Sequence, residues 1–352
     1  MREIANYKKR DSVIDIAKGI GIFLVVFGHV PLPMDLITPI YLFHMPLFFF
    51  LSGMFFHPEE KFLYGVYKKI RTLIIPYFFF ALVGNGTTIL RDYIVYRTIE
   101  MDTFGALFDG SSSPLWFLIC LFFCYVISKL ISQISQKWMY ILLFSMIVGI
   151  VGCRLVSQDV KIPLGGGRAL LMQFYFIVGY VVRNVPFKGQ TIYERILKVN
   201  RVITWSALLG FIMCCFPFDV RPNVSTLDFY HPFLFVIGSL LGIFLTMKFS
   251  KELSVNGRGI TNLIQQMGNQ SLFILGFHFY VIFHLYFFAI PALIRIFSYF
   301  SFEMEGTYLR SSYWLGTLFV IPSIYVSMVL GNYCMKLSLI HISEPTRRTP
   351  IS

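Results

Sequence analysis

Long apolar runs separated by short, mostly basic connections make up this chain. Ten stretches of near-membrane length can be marked, at about residues 13–31, 36–56, 70–90, 114–131, 138–156, 167–183, 201–217, 230–249, 271–294 and 313–335. The runs are continuously apolar and do not alternate, so they read as helices and not as barrel strands. Irregular backbone cannot face lipid, which leaves a helix bundle as the architecture. The pattern predicts an all-α, polytopic integral membrane protein with about ten transmembrane helices. The first run starts near Ile14 and is not followed by a small-residue cleavage site, so it reads as the first span and not as a removable signal.

Composition agrees with the pattern. The chain is 56% hydrophobic and only 14% charged, where soluble domains carry about 25% charged residues. So few charges cannot cover a globular surface, and the bilayer must act as solvent. The net charge of +12 would suggest nucleic acid in a soluble protein. Its distribution gives another reason. With the N-terminus inside and ten crossings, 19 of the 30 Lys and Arg fall on inner segments and eight on outer ones. Both termini are therefore expected in the cytoplasm, with membrane lipid and not nucleic acid as the partner of the basic loops. The six cysteines, Cys120, Cys124, Cys153, Cys214, Cys215 and Cys334, lie mostly inside apolar runs and form no CxxC pair. They read as small hydrophobes, not as a metal site or disulfide framework.

Residues 1–336 read as one membrane domain, without an internal repeat or a soluble domain. The segment "LSLIHISEPTRRTPIS", 337–352, lacks helical periodicity and resembles translated sequencing-adapter sequence. It is expected to be a non-native or disordered tail, and its His341 is set aside.

An ionisable group at the centre of a span costs on the order of 3 kcal/mol and is a functional candidate by default. Lys18 and His29 stand near the two ends of the first span. Eleven residues at ~100° each make three turns plus ~20°, so both project from one face, ~16 Å apart along the axis. That stripe suits a long substrate, anionic at one end and reactive at the other. The plain alternative is a snorkelling lysine beside Asp15 and a histidine at the headgroup boundary. His44 falls near the outer end of the second span, and the short connection places it at the depth of His29; an interhelical polar contact is the alternative. His278 reaches mid-membrane in the ninth span, with Ser271 seven residues earlier on the same face. His284 reads as packing, and His57 and His231 as loop histidines.

Lys68, Lys69 and Arg71 precede the third span, where they either anchor to headgroups or clamp the phosphates of a cytosolic cofactor. Trp116, in "SSSPLWFL", opens the fourth span as a belt residue or a sugar-stacking platform. Arg168 follows "PLGGG" at an outer boundary, where it either snorkels or meets an acceptor.

The segments "DIAKGIGIFLVVFGHV", "FHMPLFFFLSGMFF", "KKIRTLIIPYF", "PLWFL" and "SLFILGFH" follow one another in an order and spacing that resemble the acyltransferase family 3 membrane proteins. They are most similar to the stand-alone group that includes fucose 4-O-acetylase-like proteins, over about residues 11–336. The resemblance implies a multi-pass protein of the bacterial cytoplasmic membrane. It would move an acyl group, mostly acetyl from cytosolic acetyl-CoA, to a hydroxyl of a cell-surface or lipid-linked carbohydrate. The family's arginine, ten residues, histidine pattern is matched by Lys18 and His29, with lysine in place of arginine. The charge is kept and the bidentate fork is lost. Lys68 and Arg71 match the family's basic pair, where arginines are more usual.

On this reading His29 is the general base, or carries a transient acetyl group. His44 or His278 orients it or stabilises the oxyanion. Lys18, Lys68, Lys69 and Arg71 hold the phosphates of acetyl-CoA, and Trp116, Arg168 and Ser271 serve the acceptor. No metal is called for. A carboxylate that orients the base is not evident, since Asp35 is expected on a loop. The rival reading is a transporter or flippase of a polar or lipid-linked solute. Against it, the spans carry almost no Asp or Glu for ion coupling and no paired broken repeats.

Overall fold

A computed structural model describes residues 11–97, 113–158, 166–218, 222–227, 231–256, 259–300 and 305–337. The expected tail beyond Leu337 and the four basic residues before Asp11 lie outside the described residues. The described residues are mostly helical. In order come α1 (Ser12–Gly28), α2 (Met34–Gly53), α3 (Phe62–Lys69), a π turn (Ile70–Ile74) and α4 (Ile75–Tyr96). A 3-10 turn (Ser113–Leu115) leads into α5 (Trp116–Ile134), followed by α6 (Trp138–Ser157) and α7 (Gly166–Asn184). A two-residue-strand hairpin (Pro186–Phe187 with Gln190–Thr191) precedes α8 (Ile192–Lys198) and α9 (Arg201–Cys215). The chain closes with α10 (Pro232–Asn256), α11 (Ile260–Asn269), α12 (Ser271–Tyr299), α13 (Gly306–Ser311) and α14 (Tyr313–Lys336).

Among the described residues, seven helices are long and apolar enough to cross a membrane, or eight if the α8–α9 pair, bent by 99°, is one span. This is fewer than the ten runs counted on hydropathy: α1, α7 and α9 are not among the seven, and for α1 and α9 the reason is length. The first run yields only 17 helical residues, because "VPLP" stops α1: Pro31 and Pro33 lack the N–H a helix needs, and each disfavours helical backbone at the residue before it. The seventh run yields 15 residues in α9. Eleven residues of α1 are buried, so most of its surface faces protein instead of lipid.

Indeed α1 is the hub of the bundle, packed against α2, α10, α11, α12 and α14. Two crossings are close enough to bring backbones together. A Cβ on Gly53 of α2 would land on the Phe176 carbonyl of α7, and one on Gly179 of α7 would land on the Phe50 carbonyl of α2. Likewise a Cβ on Gly19 of α1 would strike the Ile264 carbonyl of α11, and one on Gly268 the Asp15 carbonyl. Small residues are the usual device for such approach between membrane helices. The α4–α12 crossing differs, because there Gly84 faces the Tyr280 ring and Gly276 the Phe80 ring.

Buried polar groups tie the rest. Gln173 donates to Ser128 Oγ at 2.7 Å and meets Ser145 Oγ at 3.4 Å, joining α7, α5 and α6. Lys129, fully buried, donates to the carbonyls of His57 (3.3 Å), Pro58 (3.0 Å) and Glu60, and so clamps the α2–α3 loop onto α5. Lys248 does the same for the end of α8, donating to Leu197 O (3.2 Å) and Val199 O (2.8 Å). A charge taken from water needs such a set of acceptors.

Candidate active site

His29 caps the C-terminus of α1, and its backbone (φ −94°, ψ 1°) leaves the helix. Its ring does not swing free. Nδ1 lies 2.6 Å from the Val25 carbonyl, one turn back. A carbonyl oxygen only accepts, so Nδ1 carries the hydrogen and the neutral ring presents a lone pair at Nε2. His278 and His44 repeat the device. His278 Nδ1 lies 2.8 Å from Ile274 O and 3.0 Å from Leu275 O, and His44 Nδ1 lies 2.7 Å from Ile40 O. All three predicted histidines are thus fixed by their own helices through Nδ1.

The structure brings His29 and His278 together. Their rings meet edge to face with centroids 5.0 Å apart, and Phe279 adds an edge contact to His29 at 5.9 Å. His278 is fully buried, and its Nε2 has no hydrogen-bond partner among the described residues. An orphaned buried acceptor costs about 1–3 kcal/mol. Behind it, Ser323 of α14 donates to the His278 carbonyl at 3.2 Å. His44 is linked to this pair through Tyr41, which the sequence reading missed. The Tyr41 ring packs on His44 at 4.9 Å and its hydroxyl donates to the Gly28 carbonyl, next to His29, at 3.1 Å. The signal was there in the helical i, i+3 spacing of Tyr41 and His44.

At the other end of α1 the predicted cations separate. Lys18 lies over the Phe55 ring at 5.4 Å, and Arg183 of α7 lies over the same ring at 4.8 Å. Arg183 is held there by Asp11 (3.5 Å), whose carboxylate also accepts from Tyr193 Oη at 2.8 Å and caps α1 at Val13 N–H. Lys69 stands over the Tyr125 ring at 5.1 Å and feels the positive charges of Lys18 and Lys68. Lys18, Lys69 and Arg183 therefore form one basic mouth. Lys68 is instead paired with Glu60 at 3.6 Å, and the exposed Arg71 lies over Tyr67 of its own helix at 5.9 Å. Between Lys69 and Pro76 the helix widens into the π turn, a feature often found at functional sites.

At the His29 end of the bundle, Arg168 covers the Trp116 ring at 5.3 Å and donates to Ser225 O at 2.7 Å. These two predicted acceptor residues do meet. Ser271 does not join them. It opens α12 beside Gly268 and the Asp15 turn of α1, at the Lys18 end. Asp35 lies in the first turn of α2 and not on a loop, and it is exposed. His284 contacts Thr87 Oγ1 at 3.2 Å, His57 pairs with Glu59 at 3.2 Å, and His231 packs on Phe218 at 5.5 Å. Among the described residues, no three of His, Cys, Asp and Glu converge as metal ligands would.

Comparison with known proteins places the chain in a family. No curated protein and no solved structure matches the chain. A family model does, the one described as "Acyltransferase domain", over residues 11–336. That span runs from the N-cap of α1 to the last residue of α14, and so takes in the histidine pair, the basic mouth and the Trp116–Arg168 contact. The chain belongs to acyltransferase family 3 and is a multi-pass membrane acyltransferase.

Proposed function

We propose that the protein takes an acetyl group from cytosolic acetyl-CoA and transfers it to a hydroxyl of a cell-surface or lipid-linked carbohydrate, from the bacterial cytoplasmic membrane. The observation that carries the reading is the layout of α1, with a basic mouth at one end and a fixed imidazole at the other. The axial distance from Lys18 to His29 is ~16 Å at 1.5 Å per residue. A phosphate-anchored thioester with a long, thin arm fits that separation.

The mouth holds the phosphates, through Lys18, Lys69 and Arg183. The thioester carbonyl then lies near His29. A sugar hydroxyl is a poor nucleophile at neutral pH, and His29 Nε2 takes its proton as the oxygen attacks the carbonyl carbon. The C–S bond breaks, and the proton held on His29 leaves with the thiolate as free thiol. An imidazole suits both steps because its pKa lies near the working pH. His278, edge-on to His29, positions the base, and Tyr41 fixes the α1–α2 corner on which it sits. Trp116 is buried and holds the Arg168 guanidinium over its ring at 5.3 Å, and Arg168 is the group that meets the acceptor at the His29 end.

The decisive test is mass spectrometry of surface glycans from cells carrying wild-type or His29→Ala protein at equal levels in the membrane. Loss of the acetyl increment is the expected result. Retained O-acetylation removes the reading.

A further inference from the structure

Asp11 caps α1, but its carboxylate does more than a cap requires. Oδ1 accepts from Val13 N–H at 3.1 Å, which completes the capping role. Oδ2 meets two groups from other elements, Tyr193 Oη of α8 at 2.8 Å and Arg183 Nη1 of α7 at 3.5 Å. Asn or Ser would cap a helix as well as Asp does. The cap alone therefore does not call for a carboxylate.

Asp11 and Tyr193 are each fixed without the help of Arg183. The carboxylate is held by its cap bond. Tyr193 lies in the first turn of α8, and both ends of that helix are tied. Thr191 and Glu194 cap each other reciprocally at 3.2 and 3.0 Å, and Lys248 of α10 donates to the Leu197 and Val199 carbonyls. Arg183, in the last turn of α7, is the long, rotamer-rich member of the three. Its guanidinium lies over Phe55 at 4.8 Å and over Tyr193 at 5.5 Å, and Lys18 shares the Phe55 ring.

Charge alone would not put a carboxylate here, because a negative group beside the mouth opposes an anion. It has a use if it places Arg183 more than it repels the donor. The same grouping recurs at the neighbouring cations. Glu60 accepts from Tyr125 Oη at 2.8 Å and pairs with Lys68 at 3.6 Å, while Lys69 lies over the Tyr125 ring at 5.1 Å.

We propose that Asp11 is a positioning residue for donor binding. With Tyr193 as its brace, it holds the Arg183 guanidinium beside Lys18 before the donor arrives, so that less ordering is left to be done on binding. The identity of the donor comes from the acyl-transfer reading, on which this assignment rests.

Equilibrium binding of coenzyme A to the full-length protein in detergent tests it, with thermal unfolding of the same samples. Asp11→Asn keeps the cap. Its Nδ2 can donate to Tyr193 Oη, but the amide has no charge to attract a guanidinium. If Asp11 positions Arg183, Kd rises about tenfold, the scale of one charge-assisted contact. If it only caps, Kd is unchanged. If it is only a negative charge near the mouth, Kd falls. Either of the last two results overturns the proposal. Asp11→Ser, which also caps, should weaken binding alike, and both variants should unfold near the wild-type temperature. A cycle with Arg183→Ala gives the second readout. In that background Asp11→Asn should weaken binding no further, because the group it positions is gone, and a full second loss overturns the proposal. Coenzyme A that does not bind wild-type protein removes the donor reading and this assignment with it. Transfer that survives in His29→Ala removes the role of His29 and leaves the Asp11 binding result standing.

Discussion

The imidazoles of His29 and His278 meet edge to face at 5.0 Å, and each is tethered through Nδ1 to a carbonyl one turn back on its own helix. Two rings on helices far apart in sequence are thus held in one tautomer, with the basic lone pair on Nε2. Neither ring needs a carboxylate to orient it, because the backbone does that work.

His29→Gln keeps the size and polarity of the side chain and removes the basic nitrogen. Transfer should fall by about 10²–10⁴-fold, the usual contribution of general-base catalysis. Binding of acetyl-CoA should be unchanged. Equilibrium binding of labelled donor beside a transfer assay checks both halves, and weakened donor binding would argue for a structural histidine.

His278→Phe fills the same buried space without a nitrogen. If His278 positions the base, kcat should drop on the order of 10²-fold, as for small misplacements of reacting groups, with KM for the donor unaltered. The pH profile should shift as well, which a packing role would not cause. Unaltered kcat removes His278 from the site.

Arg183→Ala and Lys18→Ala should each raise KM for acetyl-CoA by roughly 10–100-fold, since a hydrogen bond to a charged group contributes about 1.5–3 kcal/mol. Because both cations lie over Phe55, the double variant should show non-additive losses. Lys18→Arg should be tolerated if charge is what matters. Arg71→Ala should do less than either, because its guanidinium lies over Tyr67 and away from this mouth. Donor KM values for the five variants decide the order.

Gly179→Val should destabilise the bundle by about 1–3 kcal/mol or more, the cost of overpacking against the Phe50 backbone. Gly86→Ala is the control. A Cβ at Gly86 meets nothing within 4 Å, so the change should be neutral or stabilise by about 0.5–1 kcal/mol as helix propensity improves. Thermal unfolding in detergent reads both.

Much of this was legible in the sequence because it is local. The Lys18–His29 stripe needed only the helical period, and α1 is helical from Ser12 to Gly28. The adjacency of the first two spans followed from a short connection. What was not legible is non-local. Nothing in the first span says that His278 packs beside His29, since that depends on where α12 docks. Arg183 closes the sixth apolar run, where a basic residue is ordinary, and only its contact with Asp11 at the start of α1 brings it beside Lys18. The α11 helix, ten residues long, is too short to register as a span, yet its Gly268 sets the closest approach to α1. Lys129 and Lys248 stand near the ends of their apolar runs, where a lysine ordinarily reaches the headgroups, and are instead buried clamps.

The π turn at Ile70–Ile74 gives one of these features a further meaning. A π turn holds one residue more than the α turn it replaces, and one residue is ~100° of rotation. Removing a single residue from this segment would let the helix run on as ordinary α, and Lys69 would swing about the axis away from Lys18 while every side chain of the mouth was retained. On the proposed acyl-transfer reading, chain length at this joint, as much as the chemistry of the cations before it, sets the grip on the donor. In this segment a one-residue deletion is therefore the more informative lesion than any substitution.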